Sequence, residues 1–198
     1  TTLDNSGGTN AAILLDSAST YTGNVIFTTD TGSDVTITDN SDFALQSGLN
    51  VNNLSITSTG SVTDLGDIDI DGTLVVSAAG QAIDLSGTGN ELTGAVTLTG
   101  AAVTLADTTA TSIAGITATG ALSVTSGGAI TQSGAIDADS TASFAVGSNA
   151  ITLSNASNDF SGAVSLSNSG SNDVALRDAN TLDLGTVSVG QNLTVTTG

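Results

Sequence analysis

Ala150-Ile151-Thr152-Leu153-Ser154-Asn155-Ala156-Ser157-Asn158-Asp159-Phe160-Ser161-Gly162-Ala163-Val164-Ser165-Leu166 restates, one repeat on, Ala82-Ile83-Asp84-Leu85-Ser86-Gly87-Thr88-Gly89-Asn90-Glu91-Leu92-Thr93-Gly94-Ala95-Val96-Thr97-Leu98. The apolar positions keep their places while the residues between them drift among Thr, Ser, Asp and Gly. Working outward, Val35-Thr36-Ile37-Thr38-Asp39 returns as Val103-Thr104-Leu105-Ala106-Asp107 at the same offset, and again as Val174-Ala175-Leu176-Arg177-Asp178 at a slightly longer one. Leu54-Ser55-Ile56-Thr57 returns as Leu122-Ser123-Val124-Thr125 and Leu193-Thr194-Val195-Thr196. A fainter copy sets Leu15, Tyr21, Gly23, Val25 and Phe27 against Leu85, Leu92, Gly94, Val96 and Leu98, and Leu3-Asp4-Asn5 matches Leu153-Ser154-Asn155. A long internal period of this kind is the signature of a repeat architecture. Residues 1–198 therefore read as one segment of a longer array, with no linker and with units of about 68–71 residues.

The unit contains several apolar pairs at period two, each of strand length and none of helix length. Strands this short cannot each bury a face alone, and their outward positions are too polar to lie between two layers. Stacked coils remove both difficulties, because inward side chains lie on those of the next coil and each backbone bonds the coils above and below. The fold class expected is all-β, a right-handed parallel β-helix (solenoid) of about nine coils of roughly 23 residues, three coils to the unit. A propeller fits less well, since the unit is too long for one blade. The inward set runs through the apolar pairs, from Ile13 and Leu15 to Val187 and Val189 and on to Leu193 and Val195. Tyr21, Leu92 and Phe160 fill a recurring corner slot.

Composition narrows the function. Aromatics are 3% of the chain and there is no Pro, Cys, Met, Trp or His, so small aliphatic side chains must fill a narrow interior. With Lys+Arg 1 against Asp+Glu 19, the formal net charge of −18 leaves almost nothing to neutralise phosphate, which excludes nucleic acid and anionic membranes as partners. No stretch has the roughly 20 apolar residues of a spanning helix, so membrane insertion is not expected. Lacking His and Cys, the chain has no thiol or imidazole nucleophile and no usual hydrolytic metal site.

Carboxylates are the remaining chemistry. In Asp64-Leu65-Gly66-Asp67-Ile68-Asp69-Ile70-Asp71, alternation puts Asp67, Asp69 and Asp71 on the outside and Ile68 and Ile70 inside. Three readings stand beside one another: a solvated surface that opposes lateral association, a weak Ca²⁺ site, and a polysaccharide-active dyad. The calcium-loop pattern is only grazed, because its downstream Glu is missing. Neither a base nor an aromatic residue stands nearby to bind a sugar, so no catalytic residue is assigned and no cofactor beyond that Ca²⁺ is expected. Outward Thr pairs such as Thr36/Thr38 and Thr97/Thr99 read as scattered between coils, which sets an ice-binding face aside. Arg177, the only base, reads as a local partner of Asp178 or Asp173.

Gly128-Ala129-Ile130-Thr131-Gln132-Ser133-Gly134, Asn158-Asp159-Phe160-Ser161-Gly162-Ala163-Val164 and the stretch Asp178 to Val195 resemble tandem repeats of large bacterial exoproteins of the filamentous-haemagglutinin type. That resemblance implies a right-handed parallel β-helix shaft, a secreted or bacterial cell-surface location, and a role in adhesion. The function expected is a non-enzymatic structural shaft or spacer segment of a secreted adhesin or fibre. Its partners would be neighbouring repeat modules end to end, and a host or bacterial surface glycan or protein. The alternative is a carbohydrate-binding or polysaccharide-active β-helix module that uses surface carboxylates.

Overall fold

The computed structural model describes residues 2–4, 11–21, 25–30 and 32–198. Asn5 and Gly23, used in the repeat comparisons above, lie outside them. Short strands follow one another along the chain, and every pairing between them is parallel. Parallel neighbours this short cannot come from hairpins; each must be reached by a full circuit, and that circuit is one coil of a right-handed β-solenoid. About nine coils are stacked.

Each coil contributes to three faces. Face A carries Val35–Asp39, Leu54–Ser58, Leu74–Ser77 and Ala95–Gly100. Face B carries Phe43–Leu45, Val62–Asp64, Ile83–Leu85, Val103–Asp107, Leu122–Ser126, Ala142–Val146, Val164–Ser167 and Leu184–Ser188. Face C begins with Leu49–Val51, Ile68–Ile70 and Glu91–Leu92 and resumes with Ile130–Gln132, Ile151–Leu153, Val174–Asp178 and Leu193–Thr197. Between these two runs the strand Thr111–Ala118 turns the corner from C to A. Its first half pairs with Ile130–Gln132 and its second with Ile136–Ala138.

Register fixes the coil length. The shortest step between successive partners runs from Val96 to Ile113 and the longest from Leu3 to Phe27, while Val35 to Leu54, Leu54 to Leu74 and Leu74 to Val96 are typical. At about 20 residues per coil, the repeat unit is three and a third coils, not three. Val35 accordingly stands on face A, its copy Val103 on face B and the third copy Val174 on face C. Each repeat thus restarts one face further round and, at about 4.8 Å per stacked strand, about 16 Å further along. Three strands and three short turns determine the circuit; the repeat length is free to be incommensurate with it.

The inward positions form one continuous apolar column set, buried from Val25 to Leu176. Most of the expected pairs are in it, including Ile37, Ile56, Leu98, Leu105, Leu153 and Leu166. The set is larger than expected: Phe43, Leu45, Leu49, Val51, Val62, Leu74, Ile113 and Ile130 also point inward. Val187, Leu193 and Val195 are exceptions, exposed although they keep the inward register, because they have no strand on their far side. Leu92 and Phe160 are buried at their corners, and Phe160 meets Phe144 edge to face at 6.1 Å. The glycine that follows each of them two positions later is sterically required. A Cβ at Gly94 would strike the Gly72 carbonyl, and one at Gly162 the backbone of Ser140.

Two outcomes test this arrangement. Phe160→Ala should destabilise by about 3–5 kcal/mol in denaturant melts. Nitroxide pairs at Thr36 and Thr97, three coils apart in one column, should lie about 14 Å apart, whereas a Thr36/Thr104 pair should be clearly more separated. Equal distances for the two pairs would restore the three-coil unit.

Candidate functional site

Polar side chains concentrate at the corners, and the most regular are buried. Asp39, Asp107 and Asp178 end the three copies of one strand, and each turns inward. Their Oδ1 atoms accept the amide of the corner residue one coil earlier: Tyr21 to Asp39 (3.3 Å), Leu92 to Asp107 (3.2 Å) and Phe160 to Asp178 (3.2 Å). Asp107 also accepts from the Thr109 amide and hydroxyl (2.9 and 2.8 Å), and its Oδ2 accepts from Thr111 Oγ1 (2.8 Å). Phe43 and Leu182 stand where Thr111 would in the other copies, and there Oδ2 of Asp39 and of Asp178 is buried without a partner. A carboxylate suits this place because it accepts several amides that a tight corner leaves unpaired. With Asp178 inward, Arg177 projects from the opposite side of the strand and is exposed, while Asp173 accepts from Asn192, so the pairing of Arg177 with Asp178 or Asp173 expected from the sequence does not form.

Asn90 and Asn158 supply a second buried tie. Asn90 Oδ1 accepts the Ile68 amide of the coil before (3.1 Å), while its Nδ2 donates to Leu85 O and to Ala106 O of the coil after (3.2 Å each). Asn158 repeats the pattern with Ile136, Leu153 and Arg177. One side chain thereby joins three successive coils. Its remaining partner differs between copies: Asp64 Oδ2 receives Asn90 Nδ2 at 2.6 Å, whereas Gln132 both gives to and receives from Asn158. Burial pushes the Asp64 carboxyl above its ordinary value, against the opposing pull of its bonds from Asn90 and the Gly87 amide.

Asp67, Asp69 and Asp71 lie on the outside of face C, with Ile68 and Ile70 fully buried behind them. Asp69 sits in register between Asn50, whose Nδ2 donates to it at 2.6 Å, and Glu91 on the following coil. The same group recurs one repeat later and one face round, where Asp137 and Asp139 replace Asp69 and Asp71 and Asp159 replaces Glu91, in register with Asp137. Desolvation, then repulsion from neighbouring carboxylates, raises the pKa of both Asp69 and Asp137. Asp34 moves the other way, lowered by hydrogen bonds from Asn53 and Asn52. Among the described residues, no three His, Cys, Asp or Glu side chains gather so as to hold a metal ion.

The acid on the adjacent coil, Glu91 or Asp159, was not visible as part of this group in the sequence, because only the coil length brings it beside Asp69 or Asp137. The buried Asp and Asn corners did leave a signal. They recur at the repeat offset while outward residues drift, as in Asp39, Asp107 and Asp178 or Asn90 and Asn158.

A family model described as "Repeats of unknown function (DUF5649)" matches residues 32–99, 100–167 and 171–198. The first two matches abut, and each has the length of the internal repeat. No curated protein and no solved structure matches the chain. Among the described residues, no helix is long and apolar enough to cross a membrane.

Two measurements follow from the corners and the acidic rows. Asn158→Ala strands the buried Ile136 amide and should cost about 2–4 kcal/mol, lowering Tm by several degrees. For Asp137, a pKa raised by folding means that its favourable contribution is complete below the ordinary carboxylate range and is lost as pH rises through the raised value. Asp137→Asn should therefore raise Tm at about pH 7, and the gain should vanish by about pH 3. A gain that persisted in acid would remove charge as its cause.

Proposed function

We propose that the chain, which belongs to the family described as Repeats of unknown function (DUF5649), serves as a non-enzymatic structural shaft, a spacer segment of a secreted bacterial cell-surface adhesin or fibre. The observation that carries this reading is the uninterrupted stack of coils, whose apolar column runs through successive repeats without a change of architecture. A spacer needs length that grows by repetition, stiffness from continuous backbone pairing, and a surface that stays solvated. Repeats stacked end to end supply the first two, and a formal net charge of −18 supplies the third. The adhesin and secretion parts of the reading rest on the resemblance of the repeat phrases to exoproteins of the filamentous-haemagglutinin type.

The acidic rows support solvation better than catalysis. Each consists of outward carboxylates on or immediately beside a three-residue strand rather than on a long loop around a cleft, which is where binding and catalytic groups concentrate. A polysaccharide array read for both retention and product release, with the intact chain and the Asp67→Asn/Asp69→Asn/Asp71→Asn variant, tests the proposal. The expected result is neither retention nor turnover. Turnover that disappears in the triple variant would overturn the shaft reading in favour of a polysaccharide-active module, and retention without turnover would make the segment adhesive in its own right.

A further inference from the structure

The carboxylates are segregated. From the face B strands Val103–Asp107, Leu122–Ser126, Ala142–Val146, Val164–Ser167 and Leu184–Ser188 no charged side chain projects, since Asp107 is turned inward. What projects is a grid. Thr104, Ser123, Ser143 and Ser165 form one column in strict register, and Ala106, Thr125, Ala145, Ser167 and Ser188 form the second. A shallow groove runs between them over Ser143, Ser165, Ser167 and Ser188. One repeat earlier the same grid occupies face A, where Thr38, Thr57, Ser77, Thr99 and Thr117 follow one another in register. A single column of hydroxyls is therefore aligned between coils, while the Thr pairs stay scattered, with Ser55/Thr57 and Val75/Ser77 standing between Thr36/Thr38 and Thr97/Thr99. Alignment within that column follows the coil step, as from Thr38 to Thr57 or from Ser77 to Thr99, which the repeat length alone does not reveal.

We propose that this uncharged five-coil stretch of face B, which begins one coil beyond the exposed Asp84, is a lateral docking surface for a second copy of the chain. Two properties select that occupant. Hydroxyls both donate and accept, so a Ser/Thr face is complementary to itself, which a row of carboxylates cannot be. Two chains of charge −18 repel wherever acidic rows meet, and the grid is where they can touch without opposing like charges. Five coils at about 4.8 Å by five positions at about 3.3 Å give about 400 Å² per copy. That is half the roughly 800 Å² per partner of a stable complex, so the pairing is weak, reversible and opposed by low salt.

Sedimentation velocity on the full chain, over a concentration series at about 0.01 M and about 1 M salt, reads this directly. The expected result is monomer at low salt and concentration-dependent dimer at high salt. Thr125→Asp/Ser143→Asp, which charges the face B grid and not its face A counterpart, should weaken the dimer several-fold, whereas Thr131→Asp/Thr152→Asp, which adds the same charge to face C, should leave it. Because the chain has no cysteine, a Ser143→Cys variant provides an independent readout: it should cross-link under oxidation at high salt, and Thr152→Cys should not. Monomer at every salt, equal loss in both double variants, or dimer unaffected by either would overturn the proposal. Retention of the intact chain on a neutral polysaccharide without self-association would also overturn it, assigning the face to a glycan instead.

Discussion

Stacking of one coil on the next is the constraint on which everything else depends. A strand as short as Ile83–Leu85 is not stable alone; it exists because Val62 and Thr63 pair on one side and Val103 to Leu105 on the other. The inward side chains Val62, Ile83, Val103 and Leu122 then lie in one column, each burying the next. Backbone pairing and apolar burial are thus satisfied by the same neighbour, so a residue that breaks the column also loosens the ladder.

The corners are where this economy is hardest to keep, because the chain must turn while its amides stay buried. Asp107 and Asn90 show the solution: a short polar side chain turned inward accepts or donates across the coil boundary, where a strand would have used its own backbone. The partners that complete each corner vary between repeats, as Asp64 gives way to Gln132 and Thr111 to Leu182, and Ser19 stands in one copy where Asn90 and Asn158 do in the others, but the inward Asp does not change. Buried polar groups here act as fasteners between coils, and their regular recurrence suits a shaft better than a reactive centre.

Much of this was legible in the sequence. Period-two pairs such as Val103/Leu105 and their return at a fixed offset are enough to imply short inward-facing strands in a stacked array, and the slot of Leu92 and Phe160 is a buried corner as read. What could not be read was which residues meet across coils. Asp178, like Asp173, is close to Arg177 in sequence, yet a strand sends neighbours to opposite sides, and the corner claims Asp178 for the Phe160 amide. Likewise Asp137 and Asp159, well separated along the chain, become neighbours only through the length of one particular coil. Coil length varies with the turns, from the short step between Val96 and Ile113 to the long one between Leu3 and Phe27, and the turns carry no apolar pattern of their own.

A repeat of three and a third coils also gives the array a rule for growth. Duplication or loss of a single unit lengthens or shortens the rod by about 16 Å and, at the same time, turns everything beyond it by a third of a revolution. Only a change of three units, about 48 Å, restores the original bearing. Variation in repeat number would therefore steer whatever such a rod carries at its tip as well as set its reach, and two rods of unequal length would present their sides to a common neighbour in phase only when their unit counts differ by a multiple of three.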